Sequence, residues 1–317
     1  MLGVLGDLVY DVVVHREEAT RYGSDTAATV VLRRGGSAAN VAAFAASGHP
    51  TRFFGCVGDD PAGRWVVEDL RACGVDVRVR RRGRTGMIVV MVDESGERSM
   101  FPDRGASTDL DRLGDEELSG VELLHCPAYG LAGGRTAGTA VDAAARVRAS
   151  GGLISVDTSS VGVIESLTPE VFADVLCRIS PDVVSANAEE SVLAGLLSVD
   201  GLPGPTLARM PDTVVVARDG AGPTSLVRVG ADPVRVAVPP VSGVCDTTGA
   251  GDAFNAGFLV AWLGDRGDLV GAVRAGHRSA SRVLRRMGAV LEDDLPGRSG
   301  SPSGPEGLRS QRPMSRR

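Results

Sequence analysis

Asp246-Thr247-Thr248-Gly249-Ala250-Gly251-Asp252 lies between an extended apolar run, Val234 to Val241, and an apolar segment of helix length, Ala253 to Leu263. Pro239 and Pro240 break the upstream run, so the heptad reads as a loop that opens a helix. Its small residues, with Gly249 and Gly251, allow a tight turn with no Cβ between backbone and ligand. N–H groups at the start of a helix lack intrahelical partners, and the helix dipole favours an anion there. Asp252 falls in the first turn. A carboxylate at that place caps a helix; beside an anion nest it can also take the proton of an alcohol that attacks a phosphate. The heptad alone leaves both readings open.

Other stretches set polar groups where a ligand could meet them. Gly35-Gly36-Ser37-Ala38-Ala39-Asn40 precedes a segment made mostly of alanine, valine and phenylalanine. The glycines allow close approach of backbone to ligand, and Asn40 offers both a donor and an acceptor. Gly6-Asp7-Leu8-Val9-Tyr10-Asp11 ends the first apolar run, and carboxylates at a strand's carboxyl end are placed to accept hydrogen bonds from hydroxyl groups. Asn187-Ala188-Glu189-Glu190 follows the strand-like Asp182 to Ser185. Spacing i, i+3 puts Asn187 and Glu190 on one helix face. By itself that quartet reads as an N-cap and a solvated acidic turn.

The heptad resembles the C-terminal signature of the ribokinase-like (PfkB) family of carbohydrate kinases, Asp-Thr-x-Gly-Ala-Gly-Asp. Gly35 to Asn40 resembles the N-terminal Gly-Gly-x-x-x-Asn motif of the same family, and Asn187 to Glu190 is similar to its Asn-x-x-Glu motif. Gly55 to Gly63 looks like its Gly-x-x-Gly-x-Asp-x-x-Gly segment. The resemblance spans roughly residues 1–290. It implies an ATP-dependent kinase acting on a hydroxymethyl group of a sugar or sugar-like small molecule. Asp252 would be the general base, with Gly249, Ala250 and Gly251 as the anion hole. Asp11, Gly35, Gly36 and Asn40 would bind the acceptor. Asn187 and Glu190 would place Mg2+ through water, and Thr248, Gly222 and His277 would meet the nucleotide. Asp246 becomes a candidate for a monovalent cation such as K+. Departures are Val9, where ribokinases usually carry Asn, and Ala217 and Asp219, where the family usually has Thr and Gly. A nucleoside kinase of the family, or a non-catalytic sugar or nucleotide sensor with the same fold, are the alternatives. A dinucleotide-binding turn at 249–254 lacks its third glycine, Phe254 standing there.

Composition narrows the chemistry. In 317 residues with a net charge of −6, every basic side chain apart from histidine is arginine. A lysine-based phosphate site is excluded, so backbone N–H groups, arginine or a metal must meet any phosphate. The acidic balance argues against nucleic acid as partner. Cys56, Cys73, Cys126, Cys177 and Cys245 form no Cys-x-x-Cys pair, which predicts reduced thiols rather than zinc or disulfides. Without a basic leader or an apolar run of membrane length, a soluble cytoplasmic protein is expected.

Apolar runs alternating with helical patterns predict an α/β fold, a doubly wound, mostly parallel sheet with helices on both faces. Residues 9–34 and 76–104 break the alternation and are expected to form a small β-rich lid, with a turn at Asp93-Glu94-Ser95-Gly96. The α/β core then comprises 1–8, 35–75 and 105–295. Arg78 to Arg84 reads as a solvated edge strand protected by charge. Residues 296–317, rich in Ser, Gly, Pro and Arg, are expected to be disordered. In the family the lid pairs with a second lid, which implies a homodimer.

Overall fold

The computed structural model describes residues 1–93 and 98–285. The turn expected over 93–96, the stretch from 286 to 295 and the tail 296–317 lie wholly or largely outside the described residues. Strands β1 (Leu2–Leu5), β4 (Thr51–Val57), β5 (Asp76–Arg81), β8 (Leu123–Pro127), β9 (Leu153–Asp157), β10 (Val183–Asn187), β11 (Val214–Asp219), β12 (Gly222–Val227) and β13 (Val234–Val236) build a nine-stranded sheet. Its order is β13-β12-β11-β10-β9-β8-β1-β4-β5. From β11 to β5 every pairing is parallel, while β12 and β13 are antiparallel additions. A second, four-stranded sheet, β3-β2-β6-β7, holds β2 (Val9–Arg16), β3 (Ala28–Gly35), β6 (Met87–Val92) and β7 (Arg98–Asp103).

The parallel strands are covered on both faces, and successive residues alternate between two cores. Val4, Phe53, Val183 and Val216 point to one side, and Leu5, Phe54, Val184 and Val215 to the other. The first side is closed by helices α1 (Ser37–Ala46), α2 (Pro61–Ala72), α9 (Ala250–Gly264) and α10 (Leu269–Val283). The other is closed chiefly by α4 (Gly134–Ala149), α5 (Val161–Leu167) and α6 (Pro169–Ile179). Short helices α3 (Asp115–Leu118), α7 (Ala188–Leu193) and α8 (Pro205–Ala208) complete the set. The predicted doubly wound architecture with a separate small sheet is what the chain adopts.

One boundary differs. Asp76–Arg81, expected in the lid, pairs with β4 as the edge strand of the large sheet. The edge-strand reading of its arginines was sound, since Arg80 pairs with Glu117 and Arg78 with Asp76 at the sheet margin. Alternating charge marks an edge but does not say which sheet owns it.

Because the parallel strands share one direction, their carboxyl ends meet along one rim. Asp7 follows β1, Tyr129 follows β8, Asp157 ends β9 and Asn187 ends β10. The candidate site is built there.

Candidate active site

Helix α9 begins as the heptad predicts. Gly249 is its N-cap at φ 75°, a left-handed turn that residues with a Cβ seldom take. Ala250 N–H is taken up by Thr247 O at 3.2 Å, so it is not a free donor as expected. Gly249 and Gly251 keep N–H groups without a partner among the described residues. Asp252, one turn in, does not cap its own helix. Its Oδ1 accepts from Ser37 Oγ at 2.7 Å and its Oδ2 from Asn40 Nδ2 at 2.9 Å. The two motifs, far apart in the chain, therefore meet at one carboxyl group. Burial pushes that carboxyl up to about 7, against the two hydrogen bonds, and the carboxylates of Asp157 and Asp7 push in the same direction as burial.

Asn40 is oriented by a residue the sequence did not single out. Arg34 Nη1 donates to Asn40 Oδ1 at 3.0 Å, and Arg34 Nε is held by Asp69 Oδ2 of α2 at 2.8 Å. With its oxygen facing a cation, the amide must present its N–H2 to Asp252. Gly36, at φ 100°, lets the chain turn against Asp7 O, where a Cβ would come within 2.5 Å. A Cβ on Gly35 would fall 2.1 Å from Asp11 Oδ1. Asp11 itself stands on β2 with Oδ1 buried and unpartnered. Burial raises its carboxyl to about 7, Asp7 adding to the shift and Arg34 and Arg33 opposing it. Arg104 approaches Asp7 Oδ2 at 3.9 Å and lies over the Tyr129 ring, 4.3 Å from its centroid.

On the other side of α9's start, Asn187 and Glu190 close a capping box. Asn187 Oδ1 accepts from Glu190 N, and Glu190 accepts from both Asn187 N and Asn187 Nδ2. The N-cap reading was right, and the turn is exposed at Asn187, Ala188 and Glu189 but not at Glu190. Glu190 is buried, and Thr158 Oγ1 donates to its Oε2 at 2.6 Å. All three donors are neutral, so this carboxylate has oxygen lone pairs to spare and no hydrogen-bonded cation of its own. That suits a divalent ion reached through water better than direct ligation, and no group of three or more Asp, Glu, His or Cys side chains placed to hold a metal ion directly occurs among the described residues.

Arg218, the Cα partner of Asn187 across β10 and β11, reaches Asp157 Oδ2 at 2.8 Å. Asn255 Nδ2 of α9 shares that oxygen at 2.8 Å. Thr248 Oγ1 and Asp246 Oδ1 both accept from Arg98 of β7, the latter at 2.6 Å, so the small sheet is tied to the heptad. His277 is buried, with Nε2 meeting Thr224 Oγ1 at 2.8 Å and the ring leaning on Phe254. Gly222 opens β12 against Asp219. The structure thus brings together Asp252, Gly249, Gly251, Gly36 and Asn40, with Gly35 and Asp11 beside them, while His277 meets the Phe254 ring that lies under Arg218.

Residues 1–295 match the profile described as pfkB family carbohydrate kinase. The chain belongs to the pfkB family of carbohydrate kinases. Among its relatives, a fructokinase from Klebsiella pneumoniae is 32% identical over 270 residues, covering 81% of this chain and 82% of its own. An ATP-dependent ribose-1-phosphate kinase from Halopiger xanaduensis is 30% identical over 267 residues, covering 80% and 81%. The crystal structure of adenosine kinase from Sinorhizobium meliloti shares the fold with TM-score 0.80 at 24% identity, over 92% of this chain and 96% of that one. This pfkB kinase is a phosphotransferase with an alcohol acceptor on a sugar or nucleoside, and its family's donor is ATP. No described helix is long and apolar enough to cross a membrane.

Ser37, Arg34, Arg98, Asp157, Asn255 and Arg218 escaped the sequence reading. Ser37 sat inside a quoted motif, and Arg218 sat between the two departures from the family pattern, Ala217 and Asp219. The absence of lysine was the signal that should have drawn attention to it.

Proposed function

We propose that this kinase transfers the terminal phosphoryl group of ATP to a hydroxymethyl group of a sugar, with Asp252 as general base. The observation that carries the reading is the Asp252 carboxyl, held by Ser37 and Asn40 beside the unpaired N–H groups of Gly249 and Gly251. A base whose affinity for protons is centred near neutrality is half-ionised at working pH and accepts the alcohol proton as the oxygen attacks phosphorus. The N–H groups of Gly249 and Gly251 face the charge that spreads over the phosphoryl oxygens. Asp11, Gly35, Gly36 and Asn40 line the acceptor side. Asn187 and Glu190 would hold magnesium through water, and magnesium when bound would offset the negative charge of the phosphates. A coupled assay of ADP release tests the reading, with a panel of fructose, ribose, ribose 1-phosphate and adenosine. Turnover of a sugar is expected; ATP bound without turnover of any acceptor would instead establish a sensor.

At Asp246 the guanidinium of Arg98 already supplies a positive charge, so our reading gives this loop no monovalent cation. Turnover unchanged when tetramethylammonium replaces potassium is the expected result, and loss of turnover would restore the cation.

The small sheet supports a homodimer. Register places Val12, Val14, Val30, Leu32, Val89 and Phe101 on the face opposite Asp11 and Arg98, and Val30, Leu32 and Phe101 are 50–55% exposed. An apolar sheet face of that kind calls for a partner. Light scattering should give a dimer at micromolar concentration and a monomer for Leu32→Asp; a monomeric wild type would refute the pairing.

A further inference from the structure

We infer that Arg218 is a catalytic residue that grips the phosphoryl group in transit, beside the start of α9 that carries Asp252. The inference rests on the kinase reading above and adds a cation to a site described so far only by backbone N–H groups and carboxylates.

Phosphoryl transfer concentrates negative charge on the moving group, and kinases meet it with cations and oriented donors. This chain has no lysine, so an arginine must provide any side-chain cation. Arg218 stands where such a cation is needed. It leaves the carboxyl end of β11 and lies flat against the start of α9: a Cβ on Gly251 would come within 2.6 Å of its Nη1. That contact gives the second glycine of the heptad a reason beyond turning the chain, since a side chain there would displace the guanidinium.

The guanidinium is held but not satisfied. Only Nη2 is engaged, with Asp157 Oδ2, while Nε is buried without a partner and Nη1 has none among the described residues. A buried donor left unpaired is costly, and an arginine presents its N–H groups in a fixed fork suited to two phosphate oxygens. Its anchor is fixed in turn. Asp157 accepts from Asn255 Nδ2 of α9 and, through Oδ1, from Ser159 N at 2.7 Å. The Phe254 ring lies 5.7 Å below the guanidinium carbon. Asp157 and Asn255 are thus positioning residues, tying the cation to the helix that carries the N–H groups.

In the step itself the acceptor oxygen forms the new bond to phosphorus as the bond from phosphorus to the ADP oxygen breaks. The hydroxyl proton passes to Asp252, and ADP leaves with the electron pair. Arg218 moves no proton; its charge offsets that of the phosphoryl oxygens.

Binding of MgATP and MgADP by calorimetry, with turnover on whichever acceptor of the panel the wild type uses, tests the assignment. Arg218→Gln should lose ~10-fold more affinity for ATP than for ADP and at least ~10² in kcat. Its melting temperature should fall, because Asp157 loses its cation, so the ATP-against-ADP split decides, and Arg218→Lys should recover part of the ATP preference. Wild-type turnover and nucleotide preference in Arg218→Gln would overturn the assignment. An equal loss for both nucleotides would also overturn it, showing a structural ion pair only. Should Arg218→Gln not fold, the Arg218→Lys comparison of ATP with ADP decides in the same way. A wild type that binds ATP but turns over no acceptor sinks the kinase reading instead, a result distinct from any difference between variants.

Discussion

Asp252 and Asp157 are buried or nearly so, lie at the same rim, and flank the start of the same helix, yet they are held in opposite ways. Asp252 receives hydrogen bonds from a hydroxyl and an amide, both neutral. Asp157 receives an arginine, an amide and a backbone N–H. Neutral donors stabilise an anion without cancelling its charge, so burial wins at Asp252 and the proton is retained up to about pH 7. At Asp157 one of the three donors carries a positive charge of its own. Asp252 is left with a raised affinity for protons, and Asp157 holds the arginine in place.

The contrast can be broken at its strongest point first. Asp252→Asn should lower kcat by at least ~10² while leaving ATP affinity nearly intact. It should not destabilise the fold at neutral pH. Asp252 has a raised pKa, so between the ordinary carboxylate range and about 7 the folded chain binds more protons than the unfolded one. Its contribution to stability is therefore lost as pH rises through that window. Urea melts at either side of the window should show a smaller fall for Asp252→Asn than for wild type. Near-normal turnover in the variant would end the base assignment.

Asp157→Ala is the opposite case. Removing one partner of a buried ion pair leaves Arg218 and Asn255 facing an empty place, and ~3–5 kcal/mol of stability should go with it. Chemical denaturation reads this directly. A loss below ~1 kcal/mol would mean that the pair is solvated and the anchor loose.

Ser37→Ala gives the smallest effect and the finest comparison. It removes one of two bonds that favour the ionised form of Asp252. The acid limb of kcat/KM against pH, expected to rise through about 7 in wild type, should move upward by up to about one unit. An unmoved limb would mean that Asp252 does not set it.

The parts of this protein legible in the sequence are those written in consecutive residues. The heptad named its own turn and helix, Gly35 to Asn40 named the facing loop, and the alternation of apolar runs named the sheet. Each is a local consequence of backbone geometry and side-chain period. The second sheet was legible as a break in that period, although β5 was counted into it because its alternating arginines look the same on either sheet edge.

Contacts across the fold were not legible. Ser37 and Asn40 reach Asp252 only because β1, the loop after β3 and α9 converge on one rim. Arg218 reaches Asp157 only because β9, β10 and β11 are adjacent in the sheet. Ala250, read as one of three equal donors, proved to be spent within its own turn, a detail set by a single loop conformation. Sequence by itself determined which chemical groups were available: carboxylates, glycines, no lysine. Which carboxylate gains affinity for a proton and which is bound to an arginine was decided by the tertiary structure alone, because charge and burial act through space and take no account of distance along the chain.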